Sequence, residues 1–142
     1  MTSQNTTTAS ATTREENAEI VRRGYGAFNT GDLDLLTKLF SESASWHTPG
    51  RGILAGDRIG RDAVFAQFGK YVGETNGTFK AELKYVATDE QGRVVGVHHN
   101  SGERNGGRLD VDCCIVVEVR DGQILSGREH FYDLHAWDEF WS

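Results

Sequence analysis

His98 and Asn100 carry the side chains best suited to chemistry in the stretch from Arg93 to Glu103, which reads as a strand. Two positions apart on a strand, they project to the same face. An imidazole exchanges protons near neutral pH, and a carboxamide offers both donors and an acceptor, so the pair could orient a water or a carbonyl oxygen and pass it a proton. Val95 and Val97 keep a competing reading open: if that apolar pair faces the core, His99 is the inward histidine. His47, between Trp46 and Thr48, would point away from both. Five histidines and 21 acidic residues invite a metal site. No His-x-x-x-His or similar spacing appears, however, and His98 and His99 diverge on a strand, so no metal is expected. No Gly-rich phosphate loop opens a helix and no serine nucleophile elbow is present, so the expectation is a chain without a cofactor. Cys113 and Cys114 are adjacent, point to opposite faces of a strand and sit too close to bridge; they read as two small buried residues.

The elements that position these residues fall into two halves. After a Thr/Ser/Asn/Ala-rich segment, residues 1–13, expected to be a mobile tail, Thr13-x-x-Glu16 reads as a capping box. Ala18, Val21, Tyr25 and Phe28 then form one helical stripe, ending at Asn29-Thr30-Gly31. Asp32 caps a second short helix carrying Leu35, Leu36, Leu39 and Phe40. Ala44 to Thr48 suits a strand, Gly50 to Gly60 a loop, and Val64, Phe65, Phe68, Tyr71 and Val72 a third amphipathic helix. The period then switches to two. Phe79, Ala81, Leu83, Tyr85 and Ala87 predict a strand with one buried face, and turns at Asp89–Gly92, Asn105-Gly106-Gly107 and Asp121-Gly122 introduce three more, an antiparallel meander. Leu109, Val111, Cys113, Ile115, Val117 and Val119 form a buried set, which turns Asp110, Asp112, Glu118 and Arg120 outward. Helices first and a long meander afterwards define an α+β domain over residues 14–142. Trp137, Phe140 and Trp141 close the chain at helical spacing, as a plug for the open edge or as a lid or dimer contact.

The chain has 142 residues, 15 Lys and Arg against 21 Asp and Glu, and a net charge of -6. That length fits one domain, and the acidic balance without a basic cluster argues against nucleic acid. No apolar run approaches the roughly 20 residues of a membrane span and the N-terminus lacks a signal-peptide core, so a cytoplasmic protein is expected, away from the membrane.

Asn29-Thr30-Gly31-Asp32-Leu33-Asp34 with Leu39-Phe40, Ala44-Ser45-Trp46 and Pro49-Gly50, and later Asp121-Gly122-Gln123-Ile124, resemble the nuclear transport factor 2-like superfamily over about residues 14 to 141. Trp46-His47-Thr48-Pro49-Gly50 and the tail from Asp133 to Trp141 look most like its SnoaL-like group. The resemblance implies a cone-shaped curved antiparallel sheet closed by the three helices of the N-terminal half around one pocket, a fold also called cystatin-like. It also makes one activity unlike this chain. The positions of the ketosteroid isomerase base, oxyanion tyrosine and donating aspartic acid fall on Thr48, Gly24 and Ile115. None can do that work. Tyr25, one residue from the tyrosine position, is turned about 100° away and assigned to the apolar stripe.

Limonene epoxide hydrolase, a second resemblance, carries an Arg-x-Asp pair and an Asp where this chain has His98, Asn100 and Glu129. By that likeness the three are the candidate catalytic residues, with a neutral His98 bonded to a buried Glu129 as an acid/base pair. Trp46, His47, Thr48, Phe68, Ile115, His130 and Phe131 are the candidate substrate contacts. Glu129 and His130 are held together, because a one-residue bulge between Ile124 and Asp133 would exchange them. The implied function is cofactor-independent acid/base chemistry, namely cyclisation, isomerisation, dehydration or epoxide opening, on a small hydrophobic polyketide-, terpenoid- or steroid-like molecule. A non-catalytic binding protein and a structural dimerisation domain are the rivals. A pocket of about 300–1,000 Å³ would favour enzyme or binder, and a filled cone the structural reading. A homodimer is expected through the outer sheet face around Cys114 and Val116, ringed by Asp110, Asp112 and Glu118.

Overall fold

The structure is a computed structural model and describes residues 11–142, with side chains from residue 13 onward. Its elements are α1 (Ala11–Thr30), α2 (Leu33–Leu39), β1 (Phe40–Thr48), β2 (Gly56–Ile59), α3 (Arg61–Gly73), β3 (Lys80–Thr88), β4 (Arg93–Arg104), β5 (Gly107–Arg120), β6 (Gln123–Phe131) and α4 (Leu134–Phe140). The helix of the Ala18–Phe28 stripe already includes Ala11, so Thr13 lies inside it and is not its cap. Most of the expected tail, residues 1–10, lies outside the described residues. Asp32 does cap α2, accepting from the Leu35 amide at 3.1 Å.

The six strands form one sheet in the order β2-β1-β6-β5-β4-β3. Strands β3 to β6 are the expected antiparallel meander. The first strand returns to lie parallel to the last, β1 on β6, and so brings Trp46 and Thr48 beside Glu129. Part of the Gly-rich stretch read as a loop is β2, which covers the free edge of β1 from Ser45–Ile59 to Thr48–Gly56. A fourth helix, α4, follows the sheet. Asp133 caps it, and Trp137 and Trp141, 2% and 0% exposed, plug the end of the cone against Tyr71 and Phe79. The plug is tied down by Asp138 accepting from the Arg51 amide at 2.9 Å and by the Trp141 carbonyl accepting from the Ile53 amide at 3.0 Å.

Two irregularities set which side chains face inward. A register shift between Leu83 and Tyr85 turns Tyr85 out, 56% exposed, and brings Val86 to the core, against the simple alternation expected of β3. A second shift makes Leu125 an extra residue between Ile124 and Ser126, opposite Val119 and Glu118. Ile124 and Glu129 are five apart and would face opposite sides of a regular strand; the bulge puts both inside and His130 outside.

Two glycines on the concave face make room for aromatic rings. At Gly96 a Cβ would sit 2.7 Å from the Tyr25 hydroxyl, and at Gly127 it would overlap the Trp46 indole. Both rings therefore lie flush across bare backbone, where any side chain would displace them. Gly127→Ala should cost about 1–3 kcal/mol, because Trp46 is wedged between β6 and Phe68. Urea unfolding checks this, and a loss under about 0.5 kcal/mol, the size of an ordinary surface change, would show that the indole is not seated there. Among the described residues no helix is long and apolar enough to cross a membrane.

Candidate functional site

The sheet's concave face and α1 and α3 enclose a cavity of about 70 Å³, walled by apolar side chains among them Val21, Phe28, Phe40, Phe68, Phe79 and Ile115. That falls short of the roughly 300–1,000 Å³ expected of an enzyme or binding pocket and lies toward the filled cone of the structural reading, yet exceeds what a single buried water needs. Five polar side chains of the wall, Tyr25, His98, Asn100, Tyr71 and Glu129, belong to two separate networks.

The first runs along α1 and β4. His98 and Asn100 both point inward, 2% and 1% exposed, which settles the choice between His98 and His99. Val95 and Val97 belong to the outer face of β4, where His99 also lies, bonded to Asp110 and Asp112. The Tyr25 hydroxyl lies 2.7 Å from His98 Nδ1, and His98 Nε2 lies 2.9 Å from Asn100 Oδ1. Since Oδ1 only accepts, Nε2 carries the proton and Nδ1 accepts from tyrosine, giving a neutral imidazole with both nitrogens used. Burial pushes the His98 pKa down to about 4, against the opposing effect of its hydrogen bond to Asn100. The same burial holds the Tyr25 phenol protonated.

Sequence reasoning left Tyr25 in the apolar stripe. Its ring does pack in the core, but the phenol is long enough to carry its oxygen across bare Gly96 to the histidine. The glycine at an inward strand position was the available signal.

The second network surrounds Glu129, 4% exposed. Thr48 Oγ1 donates to Glu129 Oε1 at 2.6 Å and Tyr71 Oη donates to the same oxygen at 2.8 Å, so Oε2 takes neither bond, on a residue that lines the cavity. Gln67 Nε2 fixes this cluster from α3 by donating to the Leu54 carbonyl at 2.6 Å. Burial raises the Glu129 pKa, opposed by the bonds from Thr48 and Tyr71. The Trp46 indole N–H lies close enough to favour the carboxylate but has no partner of normal hydrogen-bond geometry. Tyr71 and Gln67, missed in the sequence as mere members of an amphipathic helix, are buried because α3 turns that face onto the carboxyl.

His98 and Glu129 therefore face one cavity without bonding each other, in place of the expected pair. Of the candidate contacts, Trp46, Phe68 and Ile115 line the wall. Thr48 stands behind Glu129. His47 points to the other face of β1 and bonds Asp57 at 2.6 Å, since β2 pairs there. His130 is exposed because of the Leu125 bulge, and Phe131 is covered by Trp137, whose ring stacks 3.8 Å away. The positions aligned with the isomerase, Gly24, Thr48 and Ile115, contribute two pieces of wall and one support for the carboxyl. Among the described residues no cluster of three His, Cys, Asp or Glu is placed to hold a metal ion.

A curved six-stranded sheet folded round helices is the nuclear transport factor 2-like, or cystatin-like, architecture. The chain matches a nuclear transport factor 2-like protein of Burkholderia xenovorans LB400 with a TM-score of 0.77 at 24% identity, over 91% of this chain and 98% of that one. Residues 21–127 match the SnoaL-like domain, and the chain belongs to that family. An uncharacterized protein of Mycobacterium tuberculosis is 33% identical over 92% of this chain and 99% of its own length. Bal32a, from a soil-derived mobile gene cassette, is 64% identical, with a TM-score of 0.89 over 91% of this chain and 98% of that one. A putative polyketide cyclase of Xanthomonas campestris is 25% identical, with a TM-score of 0.68 over 91% and 98%.

Proposed function

We propose that the protein is a cofactor-independent acid/base enzyme for a small, mostly apolar molecule, with Glu129 moving the proton and the Tyr25–His98–Asn100 chain holding the reacting group. The observation that carries this reading is the Glu129 carboxyl, buried in an apolar wall with one oxygen committed to Thr48 and Tyr71 and the other taking neither bond. A buried carboxyl can both accept and return a proton, burial here raises its pKa, and the bonds from Thr48 and Tyr71 hold the group in place. The neutral His98 is unsuited to act as a cationic acid, and its role is to orient Tyr25 and Asn100. Likeness to a putative polyketide cyclase supports cyclisation as the reaction class.

The test is a thermal-shift screen of small apolar ketones, esters, alcohols and epoxides, followed by product analysis for each ligand found. A ligand at 100 times its Kd adds about 2.7 kcal/mol of stability. Ligands that bind and emerge unchanged would identify a binding protein instead.

We also propose that two copies pair through the outer sheet face. Cys114 and Val116 are only half-buried there, and Tyr85 and Tyr132 are 56% and 64% exposed. Asp110 and Glu118 lie exposed at the margins, and Asp112 is engaged by His99 and Lys84. An apolar centre with a charged rim suits a dimer face. Light scattering at micromolar concentration should give twice the chain mass of 15.7 kDa; a monomer, or a dimer unaffected by Val116→Lys, would remove this face.

A further inference from the structure

Gln67 stands behind the Glu129 network with its side-chain amide in the orientation that leaves its own oxygen unpaired. Nε2 donates to the Leu54 carbonyl at 2.6 Å and reaches Thr48 Oγ1 and Tyr71 Oη at 3.3 and 3.4 Å, while Oε1 is buried without a hydrogen-bond partner. On a residue 1% exposed, an acceptor left empty lowers stability. Turning the amide over would nevertheless be worse, because it would set Oε1 2.6 Å from the Leu54 oxygen, two acceptors with no hydrogen between them. Leu54 is itself buried and held, since the neighbouring Ile53 amide donates to the Trp141 carbonyl at 3.0 Å. The Leu54 carbonyl thus fixes the amide with its nitrogen toward the two hydroxyls.

That orientation decides where the hydroxyl hydrogens go. Thr48 Oγ1 and Tyr71 Oη lie 3.0 Å apart, and 2.6 and 2.8 Å from Glu129 Oε1, so each has its single hydrogen within reach of the carboxyl. An acceptor at the Gln67 position would compete for those hydrogens. A donor there takes neither, and by donating to the hydroxyl oxygens it makes both of them better donors to the carboxylate.

We propose that Gln67 is a positioning residue for Glu129: fixed by the Leu54 carbonyl, its amide nitrogen keeps the hydroxyl hydrogens of Thr48 and Tyr71 on the carboxyl. This rests on the reading of Glu129 as the group that moves the proton, but it concerns the ionisation of that carboxyl and is measured without any substrate. The other titratable groups around Glu129 are Tyr71 from α3, Tyr25 from α1, Cys113 from β5, His98 from β4 and, on the far face of β1, His47. Burial raises the pKa of Tyr71, Tyr25 and Cys113 and lowers that of His98 to about 4, so these four are neutral at pH 7.

The experiment follows the Glu129 side-chain carboxyl by ¹³C NMR through a pH titration of the full chain. In wild type the Gln67 side-chain amide signals should shift with the same midpoint as the carboxyl, because the hydroxyls link the two. Gln67→Met keeps the length of the side chain and removes the donor. Weaker donation to the charged form raises a carboxyl's pKa, so the Glu129 midpoint should rise by about 0.5–1 pH unit. Gln67→Glu keeps the shape, sets an acceptor beside the hydroxyls and should raise the midpoint further. In a Thr48→Val, Tyr71→Phe background, Gln67→Met should leave the midpoint in place, since the amide acts through the hydroxyls. A Gln67→Met midpoint equal to wild type, with only stability lost, makes Gln67 a brace for the Leu54 loop and overturns the proposal. A shift of full size in the background without hydroxyls overturns it as well. Should the variants fail to fold, the wild-type amide signals decide, and signals that ignore the Glu129 titration overturn the proposal. Turnover reports the acid/base reading separately: a Glu129→Gln protein that remains active ends that reading, while the midpoint shift, and with it the role of Gln67, stands.

Discussion

Glu129→Gln is expected to lower turnover by about 10²–10⁴-fold while the protein stays folded and still binds its ligand. The amide keeps the size of the side chain, and its oxygen can still accept from Thr48 and Tyr71, but it carries no proton that can leave. Stability should move the other way. A carboxyl whose pKa is raised in the folded state contributes stability below its unfolded value, and that contribution is lost as pH rises through the folded value. Glutamine has no such loss, so above that window the variant should unfold at higher urea concentration than wild type. An activity within a few-fold of wild type would make Glu129 a structural acid. His130 would not replace it, because it lies on the outer face.

His98 should dominate the loss of stability in mild acid. Its pKa falls from 6.5 to about 4 on folding, so between those values the unfolded chain takes up a proton that the folded chain refuses. At about 1.4 kcal/mol per pH unit, the folded state should lose about 3 kcal/mol between pH 7 and pH 4 from this residue. The contribution is fully present above the unfolded value and disappears as pH falls through the folded one. Glu129 changes stability in the opposite sense over part of this range. The comparison is therefore between wild type and His98→Gln, which share Glu129. The variant should be weaker at pH 7, having lost its bond with Tyr25, but should lose about 3 kcal/mol less on going to pH 4. Parallel stability curves would mean that His98 titrates normally and is not sealed in the wall.

The amino-acid sequence alone determined the elements and their class. Turn residues at Asp89–Gly92, Asn105–Gly107 and Asp121-Gly122 delimit strands whose alternation leaves little choice of inward face, as in β5 from Leu109 to Val119. Helical stripes on α1 and α3 are equally local, since period and burial are tied within one element. His98, Asn100 and Trp46 came into view as candidates through the resemblance to limonene epoxide hydrolase and to the SnoaL-like group.

What the sequence could not decide was anything set by contact between distant elements. The choice of Glu129 over His130 depends on one extra residue, Leu125, whose position is fixed by pairing with β5. The valines of β4 kept His99 open beside His98, because the outer face of this sheet is also partly apolar and alternation alone does not say which face is concave. Tyr25 acquires a partner 73 residues away only because α1 crosses β4 at a glycine. Tyr71, Thr48 and Gln67 converge on Glu129 only because β1 returns parallel to β6 and α3 packs across their ends. Each of these side chains satisfies a purely local role in its own element, so the chemistry of the site resides in distances that no single segment encodes.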